Sequence, residues 1–281
     1  TDVVHVDNEG PQLQAKLEPI AQDVQGVQTA FAYAEGTKLW FNPNHEGAVE
    51  LQVEAIDDGS GLGLLDIPIP DGGWSEAGAS APDEAQFARA GAARGLNGNT
   101  HTRTLRWSEG ADVPNAYSVT GTETAGKSTI ETITFLEDAE APSTTITGLE
   151  LVDGAAQVAF DAVSDNVGGA GVRTLGIVRK VGAMVTPDTC AGAEWSSEWS
   201  APVSIDLTST TSSDAAVADG TCYQYGVRVA DNVGNVAVIP SSAELRVGNI
   251  ASPQTEPVQE VSVPTQAEPI VTAEPTPVAP T

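Results

Sequence analysis

The sequence predicts an all-β chain: two β-sandwich modules in tandem, followed by a disordered acidic, proline-rich tail. Three observations predict it. Tyr223-Gln-Tyr-Gly-Val-Arg-Val-Ala-Asp231-Asn232-Val233-Gly234-Asn235-Val-Ala-Val alternates, turns and alternates again, as the closing hairpin of a sandwich does. A weaker copy lies upstream at Tyr117-Ser-Val-Thr-Gly-Thr-Glu-Thr124-Ala125-Gly126-Lys127-Ser. An acidic stretch closed by proline recurs at Asp7-Asn-Glu-Gly-Pro11 and Glu137-Asp138-Ala-Glu-Ala-Pro142, with a degenerate form at Gly248–Pro253. Proline removes a ladder donor and restricts the residue before it, which suits a boundary between modules. The expected divisions are a linker over 1–10, modules over 11–141 and 142–249, and a tail over 250–281.

In module one, Lys38-Leu-Trp40-Phe41-Asn-Pro43 reads as a strand closed by a turn, with Asn44–Gly47 as a loop. Ala48–Ala55 alternates, Val49, Leu51 and Val53 on one face and Glu50, Gln52 and Glu54 on the other. Ile56-Asp57-Asp58-Gly59-Ser60-Gly61-Leu62 is a turn, and Leu64–Ile69 is a short strand that Pro68 places at an edge. Residues 71–115 are rich in Gly, Ala and Pro. They read as a long inserted loop with a helical turn over Pro82–Arg89 and a strand over Thr102–Trp107. Tyr117–Thr122 and Ser128–Phe135 close the module.

Module two opens at Thr144–Thr147. Ala156–Asp161 alternates and meets the turn Asp165-Asn166-Val-Gly168-Gly169-Ala-Gly171-Val172. Thr174–Lys180 is the next strand, Cys190 lies in a loop, and Val203–Leu207 alternates before a Ser/Thr loop and the final hairpin. The modules match in order: Glu50–Leu62 corresponds to Ala156–Val172, Trp74 to Trp195, and one hairpin to the other. That is an internal repeat of domain size. The tail has Pro253, Pro257, Pro264, Pro269, Pro275, Pro277 and Pro280 but no Gly, aromatic, Lys or Arg. It is expected as extended coil reaching roughly 100 Å at about 3.1 Å per residue.

The 281 residues suffice for two cores. A formal net charge of −27 argues against nucleic acid, because a phosphate backbone needs a basic patch to neutralise it. The same charge argues against anionic membrane surfaces, and no apolar run is long enough for membrane insertion. The chain begins mid-pattern and reads as an excised segment or mature form. Cys190 and Cys222 have no neighbouring histidine for a zinc site and are expected as a disulfide of an extracellular protein. Closing a loop of about thirty residues stabilises by roughly 3–4 kcal/mol in the chain-entropy account.

Leu39-Trp-Phe-Asn-Pro, Ala55-Ile-Asp-Asp-Gly-Ser-Gly-Leu, Asp138-Ala-Glu-Ala-Pro, Asp219-Gly-Thr-Cys-Tyr-Gln-Tyr and Ala230-Asp-Asn-Val-Gly-Asn together resemble bacterial immunoglobulin-like repeats of large secreted and cell-surface proteins. The resemblance covers about residues 1–250. It implies immunoglobulin-like sandwiches in a tandem array on an adhesin, stalk or filament, with neighbouring repeats as partners. Module one departs from the pattern: Thr124-Ala-Gly-Lys127 replaces the Asp-Asn-Val-Gly-Asn turn.

Asp231 and Asn235 read first as turn residues, whose side chains accept backbone N–H bonds while Gly234 supplies a positive φ. Their second reading is as calcium ligands. Asp57, Asp58, Asp161 and Asp165 occupy turns at one end of each module, and Glu137 and Asp138 lie in the linker. No cofactor is required, but Asp57, Asp58, Glu137 and Asp138 are the candidate calcium ligands, hard oxygen donors that would stiffen an array. His5, His45 and His101 belong to no motif, and neither Gly-x-Ser-x-Gly nor His-Glu-x-x-His occurs. The expected function is therefore structural rather than enzymatic. The rival class is a carbohydrate-binding accessory module of a secreted hydrolase, with Trp195 and Trp199 as the candidate pair for stacking on a glycan.

Overall fold

The computed structural model describes residues 7–24, 27–77, 99–186 and 188–248. The tail over 250–281 and the helical turn expected over Pro82–Arg89 lie outside the described residues, as do residues 1–6. Among the described residues there is no helix. Strands β1 (Gln12–Ile20), β2 (Gln22–Val24), β3 (Val27–Thr29), β4 (Ala32–Glu35), β5 (Lys38–Phe41), β6 (Gly47–Ile56), β7 (Leu62–Asp66), β8 (Trp74–Glu76), β9 (Asn99–Trp107), β10 (Tyr117–Glu123) and β11 (Ser128–Glu137) make up module one. Module two holds β12 (Ile146–Val152), β13 (Ala155–Phe160), β14 (Val172–Ala183), β15 (Glu194–Trp195), β16 (Val203–Ser204), β17 (Thr211–Asp214), β18 (Thr221–Asp231) and β19 (Val236–Val247).

The strand orders are those of immunoglobulin sandwiches. In module one, β1-β6-β9-β8 form one sheet and β4-β5-β11-β10-β7 the other. Apart from β2–β5, these are the A-B-E-D and G-F-C arrangements of that fold. Module two repeats it with β12-β13-β17 facing β15-β14-β18-β19, and β16 also pairs with β14. Both modules are all-β immunoglobulin-like sandwiches.

The core of module one follows from the alternation of β6. Val49, Leu51, Val53 and Ala55 point inward at zero exposure, while Glu50, Gln52 and Glu54 are half-buried on the outer face. Beside them is a cluster of aromatic rings packed edge-on or tilted. Trp74 lies 4.9 Å from Phe135, 5.1 Å from Phe41 and 5.3 Å from Trp107, between ring centroids. The buried indoles keep their donors satisfied, Trp74 Nε1 on the Asp112 carbonyl at 3.0 Å and Trp107 Nε1 on that of Asn42 at 3.1 Å. In module two, Tyr223, Tyr225, Val227 and Val229 of β18 supply the corresponding face. The Tyr225 hydroxyl donates to Asp214 at 2.8 Å, and Asp214 also pairs with Arg179. The Tyr223 hydroxyl accepts the Ala218 amide at 2.9 Å, the backward bond of a tyrosine corner.

Cys190 and Cys222 are disulfide-bonded, 32 positions apart in sequence. With Met184 they form a small buried cluster beside the start of β18.

Several elements differ from the sequence reading. Strand β1 went unread, although Leu13, Ala15 and Leu17 alternate and pair with β6. Residues 71–115, read as an inserted loop with a strand over Thr102–Trp107, do carry that strand, as part of a longer β9 that pairs with β6 along its whole length, and carry β8 besides. The addition that the described strands show lies instead between β1 and β6, where β5 joins β11 in parallel. Val203–Leu207 joins β14 through Val203 and Ser204 and through the Ile205 amide on the Leu175 carbonyl at 3.0 Å, and β17 sits in the expected Ser/Thr loop. Thr211-Ser-Ser-Asp214 has no apolar residue to signal a strand; it is held by pairing with β13. Trp74 and Trp195 are not counterparts. Trp74 is buried between the sheets, whereas Trp195 is half-buried beside Gly182 of β14.

Gly47 faces Trp107 so closely that a Cβ would lie 1.9 Å from its ring. Gly47→Ala should force the indole from its site and cost about 1–3 kcal/mol, as overpacking does. Urea unfolding followed by tryptophan fluorescence checks this; a variant as stable as the parent would show that the ring has room to move.

Candidate functional site

The residues most densely bonded across distant sequence lie where the modules meet. The β18–β19 hairpin carries Asp231-Asn-Val-Gly-Asn235 at its tip, and Gly234 takes a φ of 87° that a residue with a Cβ resists. That tip is seated in module one. Val233 is fully buried against Trp40 and Ala170, with Tyr33 and Leu136 packed around them. A Cβ on Gly234 would come within 3.2 Å of both Phe31 and Thr29.

Polar bonds fix the same contact. Asn42, at zero exposure, donates from Nδ2 to Asn235 Oδ1 at 2.7 Å and to the Val233 carbonyl at 3.3 Å. Its own Oδ1 accepts the Asn44 amide at 2.9 Å. Trp40 Nε1 donates to the Gly168 carbonyl at 2.9 Å. Asn235 Nδ2 donates to the Asp138 carbonyl at 3.0 Å, so the linker is tied to the hairpin as well. Each such bond contributes about 1 kcal/mol net, and leaving a buried partner unsatisfied costs about 1–3 kcal/mol.

Three carboxylates gather beneath the joint: Asp138 of the linker, Asp165 of the β13–β14 turn and Asp231 of the hairpin. One oxygen from each lies within 4.8 Å of the others. Protein donors surround them. Asp138 accepts the amides of Glu140 and Ala170, and Asp165 those of Asn166 and Gly171. Asp231 accepts the amides of Val233 and Asn235 and the Asn235 side chain. With its amide nitrogen turned toward the acids, Asn166 donates to Asp165 at 2.8 Å and to Asp138 at 3.2 Å. Burial nevertheless pushes the Asp231 carboxyl up to about 6; the Asn235 bonds oppose this and the Asp138 charge adds to it. Burial also raises Asp165.

Module one repeats this arrangement at its own pole. Glu123 amide to Lys127 carbonyl, 2.9 Å, matches Asp231 amide to Asn235 carbonyl, 3.1 Å. Thr124 amide to Gly61 carbonyl, 2.8 Å, matches Asn232 amide to Gly171 carbonyl, 3.0 Å. Asp7 accepts the Glu9 amide as Asp138 accepts that of Glu140. The resulting cluster is Asp7, Asp57 and Glu123, again within 4.8 Å.

The four acids proposed from sequence are therefore divided. Asp57 belongs to the module-one cluster and Asp138 to the module-two cluster, while Asp58 and Glu137 are exposed and belong to neither. Trp199 packs over Gly226, and the Lys180 ammonium is 5.3 Å from its ring centroid. Sequence reasoning missed Asn42, Trp40 and Glu123. Asn42 and Trp40 look like strand-end residues. Aligning Thr124 with Asp231 hid Glu123, which one step of register would have placed opposite the aspartate.

No family model matches the chain, and no match appears among curated proteins. Among solved structures, a segment of titin domains is similar at 10% identity and a TM-score of 0.35, over 84% of this chain and 66% of that one. The human desmocollin-1 ectodomain is similar at 16% identity and a TM-score of 0.18, over 86% of this chain and 52% of that one. The chain thus spans under two thirds of the first and about half of the second. The immunoglobulin-like assignment rests on the strand orders themselves.

Asn42→Ala strands Asn235 Oδ1 and the Val233 carbonyl. It should lower junction stability by about 2–3 kcal/mol and split a single thermal transition into two, as calorimetry would record. An unchanged single transition would show that Asn42 does not couple the modules.

The raised Asp231 carboxyl sets a pH dependence. Its ordinary value is 3.8 and its folded value about 6, so the folded state binds the extra proton between them. Its contribution is complete below 3.8 and lost as pH rises through 6. Asp214 and Asp206 are lowered by their hydrogen bonds, against a desolvation that raises them, so their contribution is lost as pH falls. Module two should melt at a higher temperature near pH 5 than at pH 7.5 in chelator, then weaken on further acidification. A melting temperature that rises steadily from pH 5 to 7.5 would contradict this.

Proposed function

We propose that the chain is a spacer segment of a larger extracellular bacterial surface protein, a stalk or adhesin in which immunoglobulin-like modules hold a fixed orientation. The observation that carries this reading is the seating of the Val233–Gly234 tip in module one, with Asn42 and Asn235 bonded across the joint. A flexible linker would let the two modules reorient; a buried hairpin tip sets their angle. The disulfide and the acidic composition support placement outside the cell, where thiols oxidise and high charge favours solubility. Partners on this reading are neighbouring repeats and a cell-surface ligand carried elsewhere on the parent protein.

Small-angle scattering tests it. The parent should give one narrow distribution of dimensions, and Val233→Asp, which buries a charge in the joint, should broaden it while both modules stay folded by circular dichroism. A parent as broad as the variant would remove the basis for a rigid spacer. The rival reading, a carbohydrate-binding module, is weakened because the Trp195 and Trp199 rings pack over Gly182 and Gly226 as sheet cover. Glycan-array binding that disappears in Trp199→Ala would reverse that preference.

A further inference from the structure

We propose that Asp7, Asp57 and Glu123 form a calcium site at the pole of module one, while the equivalent cluster of module two holds together without a cation. The distinction rests on hydrogen bonding. Glu123 is 2% exposed, and neither of its carboxylate oxygens has a hydrogen-bond partner. A buried carboxylate with no donor is costly, and native structures pair it with a proton, a cation or a metal. Asp231, its counterpart, accepts three hydrogen bonds.

The sequence explains the difference. In module two the short aspartate turns back into its own hairpin and caps the Val233 and Asn235 amides. Module one has a longer glutamate there and Lys127 in place of the asparagine. The Glu123 carboxylate consequently leaves the hairpin and joins Asp7 and Asp57. Lys127 does not neutralise it by direct pairing: its ammonium donates to the Asp7 carbonyl at 2.9 Å. Burial raises the Glu123 carboxyl, and Asp7 raises it further.

The other two acids are held ready. Asp57 accepts the Gly59 and Gly61 amides on Oδ1 alone, at 3.0 and 2.8 Å, leaving Oδ2 for a ligand bond. Asp7 is drawn in by the Ser60 amide at 2.6 Å. It approaches Gly59 so closely that a Cβ there would lie 1.9 Å from its Oδ2. Oxygens within 4.8 Å of one another fit a single ion with bonds of about 2.3–2.6 Å, the calcium range. Magnesium needs about 2.0–2.1 Å and keeps more of its water. Three carboxylates from three separate segments also mean that the ion ties the chain entering module one to its turn and its hairpin.

Isothermal titration of the full chain with calcium chloride, after chelator treatment, should give one site with a Kd of roughly 10⁻⁵ to 10⁻³ M. At saturation the module-one melting temperature should rise by about 5 °C or more, and magnesium should bind at least about tenfold more weakly. Glu123→Gln should abolish the heat and the shift while raising the melting temperature in chelator, because it removes an unpartnered charge. Gly59→Ala keeps all three acids but displaces Asp7, and should weaken binding by about tenfold or more; it decides the matter should the Glu123 variant fail to fold. Asp165→Asn, in the other cluster, should retain the calcium response. No heat with the parent chain, an undiminished affinity in Glu123→Gln, or a response that follows Asp165 instead would each overturn the proposal.

Discussion

The rest of the molecule depends on a hairpin tip that finishes folding inside a different module. Val233 is apolar, fully buried and at the end of a turn, where solvent exposure is the rule. Its burial is complete only because Trp40, Tyr33 and Leu136 of module one close over it. The backbone groups trapped with it then need partners, and Asn42 and Asn235 supply them. Hydrophobic burial thus sets the contact, and the obligation to satisfy buried polar groups sets its angle.

The two poles show one scaffold carrying two electrostatic solutions. Both gather a linker acid, a turn acid and a hairpin acid by the same backbone clasps. In module two, neutral donors converge and the acids become acceptors in a hydrogen-bonded network. In module one the donors to the hairpin acid are gone, and three carboxylates face one another with the Glu123 oxygens unpartnered. One methylene of side chain and the exchange of Asn235 for Lys127 separate these outcomes.

Much of the fold could be read from the sequence because sandwich strands with one buried face alternate. Val49, Leu51 and Val53 announce β6, and Tyr223 to Val229 announce β18. Strands held by backbone pairing and polar side chains gave no such pattern, as Thr211–Asp214 illustrates. The carboxylates at the turns were legible as a set, but their partition was not. Asp57 and Asp58 are adjacent in sequence, yet only Asp57 points into its cluster, and that depends on the turn around Gly59 and Gly61. The joint was least legible of all: nothing in Leu39-Trp-Phe-Asn-Pro43 says that two of its side chains will face another module. Such information exists only once both sandwiches have formed.

The sheet edges carry a consequence for modules strung on one chain. Strand β1 ends its sheet with Pro19 opposite Val49, and β19 ends its own with Pro240 opposite Gly226. Covalently linked neighbours experience one another at millimolar local concentration, whatever the dilution outside. An open edge at that concentration invites strand exchange between repeats of similar sequence. A proline on each of these edges removes one donor from the ladder that a neighbour's strand would have to form. Repetition is thereby made compatible with each module keeping its strands to itself during synthesis and refolding.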